Sequence, residues 1–241
     1  MRYGISGDMF SAACYSLMDS ASKELFRRRI EKGCKGLGGR CEIVSVDEGS
    51  MRGHAIRADF QRSGTATDAN EARNRLGGIV RSMGVSESGI SFADSILGTV
   101  LAAEATAHGV SVDQVHLHEV GRPEGLLNMS SAGLCYELLG LSECEIIGSV
   151  ISVGRGTVST EHGPVRVPAP ACEAIIGLMK MKSGPYEGEM ATPTGLAIAK
   201  NLIDRQTDEL PGNGRAGIGF GGRRFLEGVG FLRLIDGGDG A

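Results

Sequence analysis

At 241 residues, 41% of them hydrophobic, the chain is long enough to bury one large core or two small ones. Its net charge of -4, with both signs interspersed, offers no basic footprint for nucleic acid and no polybasic membrane anchor, so neither partner is expected. No apolar run approaches a bilayer span and the N-terminus lacks the order of a signal peptide, which predicts a soluble, cytoplasmic protein.

In chain order, Gly4-Ile5-Ser6-Gly7-Asp8-Met9 leads into an Ala- and Leu-rich run, Phe10 to Leu17, that predicts a helix capped by Ser6 or Asp8. A second helix is expected over Ser22 to Lys32. Two short strands follow, Cys41 to Val46 and Ala55 to Phe60, forming a hairpin around Gly53. Residues 61–70 read as polar and mobile. Helices are then expected over Asn70 to Met83, Ser91 to Ala107 and, with Gly140 as its stop, Leu126 to Leu139. Glu145 to Val153 reads as one buried strand, and Thr160 to Pro164 as a ribbon turning at His162-Gly163. Two further helices are expected, Ala171 to Met179 and a segment opening at Thr192-Pro193 and reaching Asp204. Strands over 218–222 and 231–235 close the chain. This order predicts a mixed α/β class, a mixed sheet with flanking helices. The natural boundary separates residues 1–112 from 113–241, with the option that both halves share one sheet and one domain.

Thirty-eight glycines, about twice the usual share, imply many loops and close backbone approaches, which often build ligand sites. The six cysteines form no Cys-x-x-Cys pair, so most are expected as small buried hydrophobes rather than zinc or redox ligands. Two of the five histidines fall in His116-Leu117-His118-Glu119-Val120-Gly121. In an extended segment His116 and His118 share one face, and neutral imidazoles beside a carboxylate suit zinc, nickel, copper or iron. A polar turn closing the preceding helix explains the same residues equally well. The loop at Ser6 and Asp8 and the Thr192-Pro193-Thr194-Gly195 segment each open a helix, where free amides favour an anion or serve as plain caps. Arg155, between Gly154 and Gly156, carries a guanidinium suited to phosphate, or one simply solvated. His54 and His108 stand alone and are assigned to the surface or a helix C-terminus.

The order of GISGDM at 4–9, HLHEVG at 116–121, VGRGTV at 153–158, HGPVRVPAPA at 162–171, GEMATPTG at 188–195 and IGFGG at 218–222 resembles the nickel insertion proteins that complete the nickel-pincer cofactor of lactate racemase. The resemblance covers almost the whole chain. It implies a nickel chelatase or cyclometallase of the lyase class that places nickel into pyridinium-3,5-bisthiocarboxylic acid mononucleotide and consumes CTP, with a divalent cation as its companion. Carried residue by residue, it implies metal contact for His116, His118, Glu119 and His162, with Glu119 as the general base. It implies nucleotide or substrate contact for Ser6, Asp8, Arg155, Thr192 and Thr194. A ferredoxin-like βαββαβ order is expected for the first half if a strand precedes Gly4. The family's pattern has Asp-Ser-Ile and then a second Asp after HLHEVG, whereas this chain has Glu124-Gly125-Leu126 and Asn128. Many relatives continue into another domain, so a partner chain carrying that domain is an expected requirement, and an unpaired first edge favours a homo-oligomer. Two other readings stay open: a non-catalytic nickel carrier or assembly subunit, and a zinc-dependent hydrolase using His116, His118 and Glu119.

Overall fold

The computed structural model describes residues 4–60, 67–117, 121–160, 163–210, 214–225 and 228–238. Helix α1 (Gly7–Leu17) starts three residues before the expected Phe10, with Ser6 as its N-cap. Helix α2 (Ser20–Gly36) is capped by Asp19, whose carboxylate accepts the Ser22 amide at 2.7 Å. Strands β1 (Gly39–Glu48) and β2 (Met51–Phe60) pair antiparallel from Gly39 opposite Phe60 to Glu48 opposite Met51. The hairpin therefore turns at Gly49-Ser50 and not around Gly53. Gly53 lies inside β2, where a Cβ would meet the Ile218 carbonyl oxygen at 2.3 Å. A side chain there would push two neighbouring strands apart.

Of the stretch expected to be mobile, residues 61–66 lie outside the described residues, and Thr67–Asp68 form the short strand β3. The Asp68 carboxylate accepts the amides of Asn70 and Glu71, both at 2.9 Å, and so opens helix α3 (Ala69–Met83). Helix α4 (Glu87–His108) runs from the Ser86 cap to a left-handed Gly109, starting four residues before the expected Ser91. By length and composition α4 can cross a membrane, contrary to the expectation that no run is long enough. Its apolar residues, Phe92, Ile96, Leu97, Val100 and Leu101, are nevertheless part of the protein core. Strand β4 (His116–Leu117) pairs with β3, placing His116 opposite Asp68. Helix α5 (Pro123–Leu138) has Pro123 in its first turn, where the missing N–H costs nothing.

The segment expected as one strand over 145–153 divides. Strand β5 (Ile147–Gly148) and strand β6 (Ile151–Ser152) are followed by β7 (Gly154–Arg155), and β8 (Thr157–Thr160) then pairs with β9 (Gly163–Arg166) as the expected ribbon. Helix α6 (Pro170–Ile176), β10 (Met181–Lys182), β11 (Gly188–Glu189), helix α7 (Pro193–Leu202) and β12 (Arg205–Gln206) follow. Strand β5 pairs with β12 and β6 with β10, both parallel, so two adjacent dipeptides are claimed by different distant segments. Strands β13 (Arg215–Phe225) and β14 (Gly228–Asp236) are longer than the segments expected for them.

The largest sheet has the order β1-β2-β13-β14, with antiparallel hairpins at either side joined by a parallel contact of Gly219 with His54. The α/β class with flanking helices holds. Among the described residues the β1-β2 hairpin of the first half is extended by β13 and β14 from the C-terminal segment, and the strand that a ferredoxin-like order requires before Gly4 lies outside the described residues. Phe10, Tyr15, Phe26, Ile30, Leu76, Ile96 and Leu126 join residues such as Ile175 and Leu196 in one continuous core drawn from both halves. Burial of each large apolar side chain there contributes about 1.5–3 kcal/mol. Cys14, Cys34, Cys135 and Cys172 are buried within this core, while Cys144 is exposed.

His54 departs from the surface position expected for it. Its Nδ1 lies 2.8 Å from the Ser16 hydroxyl, which also donates toward the carbonyls of Ile218 and Ala12. Its ring meets Tyr15 edge-on at 4.9 Å. Burial, and then the charges of Lys23 and Arg27, hold its imidazole below the ordinary value near 6.5.

Candidate functional site

The backbone brings two helix-opening loops together. Ile5 forms a parallel bridge with Ala191, its amide donates to the Met190 carbonyl at 3.0 Å, and the Thr192 amide donates to the Ile5 carbonyl at 3.0 Å. The starts of α1 and α7 are therefore adjacent. Gly195 makes this possible, since a Cβ there would lie 2.3 Å from the Ile5 carbonyl oxygen.

These loops form part of the wall of a cavity of about 850 Å³. Ser6 and Asp8 enter from α1, and Thr192, Pro193 and Thr194 from α7. Glu124 and Asn128 come from the start of α5 and Pro170 from the start of α6. The C-terminal turn of α4 adds Glu104 and His108. Arg57 comes from β2, Ser159 from β8, Glu189 from β11 and Gly222 from β13. Four helix N-termini and one C-terminus thus end at a single space. Clefts of this size with a few convergent polar groups are the usual form of small-molecule sites.

Four of the sequence-derived candidates, Ser6, Asp8, Thr192 and Thr194, meet at this cavity. The Ser6 hydroxyl donates to Asp8 Oδ1, and Asp8 Oδ2 accepts the Gly222 amide at 3.3 Å, which fixes the carboxylate between α1 and β13. Thr192 accepts the Gly195 amide at 3.2 Å as an N-cap. Arg155 is not among the lining residues; its Nε lies 3.3 Å from Glu187 Oε1, and both side chains are exposed. His116 is exposed on β4 and is also not among the lining residues. His118, Glu119 and His162 lie outside the described residues. Among the described residues, no group of three or more His, Cys, Asp or Glu is placed to hold a metal ion.

Sequence reasoning did not single out Arg57, Glu104 or Glu189 for the site, named Glu124 and Asn128 only as departures from the family's Asp-containing pattern, and assigned His108 to the surface or a helix end. His108 is at that helix end, but it also lines the cavity, with Nε2 3.6 Å from Glu104 Oε2. Behind the wall the Cys172 thiol lies 3.7 Å from Glu189 Oε1, and burial first, then Glu189, push it well above its ordinary value. The carboxylates of Asp8, Glu104, Glu124 and Glu189 outnumber the one guanidinium on the wall, Arg57, among the described residues. Such a lining favours cations and cationic rings over bare anions.

The family model for nickel insertion proteins matches residues 1–240. The chain belongs to the nickel insertion protein family. Among its relatives, a protein of Methanosphaera stadtmanae named "Putative nickel insertion protein" is 36% identical over 147 residues, 61% of this chain and 36% of that protein. One of the same name from Methanothermobacter thermautotrophicus is 30% identical over 236 residues, 97% of this chain and 56% of the relative. The pyridinium-3,5-bisthiocarboxylic acid mononucleotide nickel insertion protein of Akkermansia muciniphila is 29% identical over 238 residues, covering 96% and 57%. In the second and third matches this nickel insertion family member spans a little over half of the relative's length. No solved structure matches the chain. The family match extends across every segment that meets at the cavity, from Ser6 to Gly222.

Proposed function

We propose that this chain takes part in inserting nickel into pyridinium-3,5-bisthiocarboxylic acid mononucleotide, with the 850 Å³ cavity as the substrate chamber. The observation that carries the reading is the convergence of widely separated motif segments on one space in a member of the nickel insertion family. The chemistry of the wall agrees. Its carboxylates suit a divalent metal and a pyridinium ring, both cationic, and the helix N-termini suit a phosphate.

In this reading His116, His118, Glu119 and His162 hold nickel in transit, because imidazole and carboxylate bind it without the permanence of thiolate. Nickel then passes to the two thiocarboxylate sulfurs of the substrate. The nickel-carbon bond forms as the ring carbon between the thiocarboxylates gives up its proton, and Glu119 is the base that accepts it. Ser6, Asp8, Thr192 and Thr194 contact the nucleotide or substrate, and Arg155 of β7 serves a phosphate. CTP and a divalent cation are the co-substrate and its companion, and the reaction belongs to the cytoplasm. The remaining length found in the relatives, as a further domain or a partner chain, and a homo-oligomeric assembly complete the proposal.

Nickel titration by calorimetry of wild type against the His116→Ala/His118→Ala double variant tests the metal assignment, with tight binding expected only in wild type. Equal affinities would remove nickel from that cluster. Turnover is then measured with nickel, CTP and the pyridinium substrate, with this chain alone and with the C-terminal part of a full-length relative added. Nickel binding without a nickel-carbon bond in either arm would make the chain a carrier.

A further inference from the structure

The four helices that begin at the cavity are not equivalent. The first turns of α1, α5 and α6 each contain a carboxylate, Asp8, Glu124 and Glu173, whereas that of α7 contains none. A negatively charged group is opposed by a side chain at the first three and met only by the positive end of the helix at the fourth.

The two threonines of α7 also have different duties. The Thr192 hydroxyl oxygen accepts the Gly195 amide as the N-cap, and the Thr192 amide donates to the Ile5 carbonyl. Thr194 is 6% exposed and lines the cavity, and its hydroxyl has no hydrogen-bond partner among the described residues. Its amide, in the first turn, has no acceptor within the helix. The Thr194 hydroxyl is free to donate to a ligand atom that enters the cavity. Other groups on the wall are poorer candidates. The Ser6 hydroxyl is directed to Asp8, the Arg57 guanidinium lies 3.8 Å from Glu42, and His108 sits beside Glu104.

We infer that the N-terminus of α7, through the hydroxyl and amide of Thr194, is the subsite for a phosphate monoester. This rests on reading the cavity as the chamber of a mononucleotide, and it assigns the phosphate end of that molecule to Thr194.

The test compares calorimetric binding of three probes: pyridinium-3-carboxylic acid mononucleotide, its dephosphorylated nucleoside, and inorganic phosphate. Wild type binds the mononucleotide more tightly than the nucleoside. In Thr194→Val the mononucleotide weakens by roughly ten- to a hundredfold, as expected for a hydrogen bond to a charged group, while the nucleoside is unaffected. Thr194→Ser restores the preference. If Thr194→Val keeps the wild-type preference, or if wild type binds neither phosphate nor the mononucleotide, the subsite is overturned. If inorganic phosphate binds wild type and is lost in Thr194→Val, but the mononucleotide binds no better than phosphate, the subsite stands and the mononucleotide reading fails. Should Thr194→Val fold poorly, the amide resonance of Thr194 in wild type decides the matter: it shifts on addition of inorganic phosphate if the subsite is real, and an unmoved resonance overturns it.

Discussion

Replacing Gly195 by alanine sets two opposing effects against each other at the point where the cavity loops join. In an unobstructed helix Gly→Ala stabilises by about 0.8–1.0 kcal/mol because glycine loses more backbone freedom on folding. At Gly195, however, the new Cβ would stand 2.3 Å from the Ile5 carbonyl oxygen, 2.6 Å from its carbon and 2.7 Å from Ser6 Cα. All three are backbone atoms, so no side chain can rotate away. To reach even 3.0 Å the Ile5 segment must retreat by about 0.7 Å, which strains its hydrogen bonds with Met190 and Thr192. Overpacking of this kind costs about 1–3 kcal/mol, and each weakened backbone bond adds about 0.5–1.5 kcal/mol. The clash prevails, with a net loss of about 2 kcal/mol and a melting temperature lower by roughly 4–8 °C. Gly98, exposed in α4 with nothing within 4 Å of its virtual Cβ, is the matched control, and Gly98→Ala should stabilise by about 0.5–1 kcal/mol. Urea unfolding followed by far-UV circular dichroism measures both. A Gly195→Ala protein as stable as wild type, or more so, would refute the close approach of the α7 start to Ile5.

Other expected outcomes address the packing around the site. His54 is held below its ordinary value by burial, and then by Lys23 and Arg27. Its contribution to stability is therefore complete above about pH 6.5 and is lost as pH falls through the folded-state value, because the unfolded chain takes up the proton first. Urea midpoints measured from pH 7.5 down to pH 5 should decline, with a shallower slope in His54→Gln; parallel slopes would remove His54 from the account. Glu137 accepts Arg29 Nη1 at 2.6 Å and the Ser86 amide at 2.6 Å, both pair members being mostly buried, so it ties α2 to the cap of α4. Glu137→Ala should cost about 2–3 kcal/mol in the same unfolding assay, and a loss under about 0.5 kcal/mol would mark the pair as incidental. For thiol reactivity, Cys144 is exposed, Cys14, Cys135 and Cys172 are buried, and burial pushes Cys41 up to about 12. Titration of the native protein with a disulfide reagent should label Cys144 first, and rapid labelling of Cys172 would show that the wall beside Glu189 opens.

What could be read from the sequence follows from how local each determinant is. The helices were legible as elements because their signals lie within a few residues, as where Pro193 opens α7 behind Thr192, although the Ser86 cap was passed over and α4 was expected four residues late. The division of 145–153 was not legible, since Ile147 is claimed by Arg205 and Ile151 by Met181, and no local pattern in the apolar run encodes two distant partners. The same limit hid the making of the sheet, where β2 meets β13 across more than a hundred and fifty residues at a single registered contact, and Gly53 resembled a turn when its task was to admit Ile218.

The cavity repeats this division. Its loops stood out as Gly- and Thr-rich helix openings, but Glu104 is a single carboxylate in a long helix with no spacing to mark it, and only the fold brings it to Glu124 and Glu189. That gathering matters more to the chemistry than any one motif. The acidic residues in the first turns of α1, α5 and α6 offset the anion preference that a helix N-terminus would otherwise have, so sequence-level similarity among the helix openings conceals a functional difference. Of these helices only α7 has no acidic residue in its first turn, and there Thr192 caps the helix while Thr194 lines the cavity. A molecule cationic at its ring and anionic at its phosphate matches that division of charge, whereas a simple anion would meet carboxylates on most of the wall.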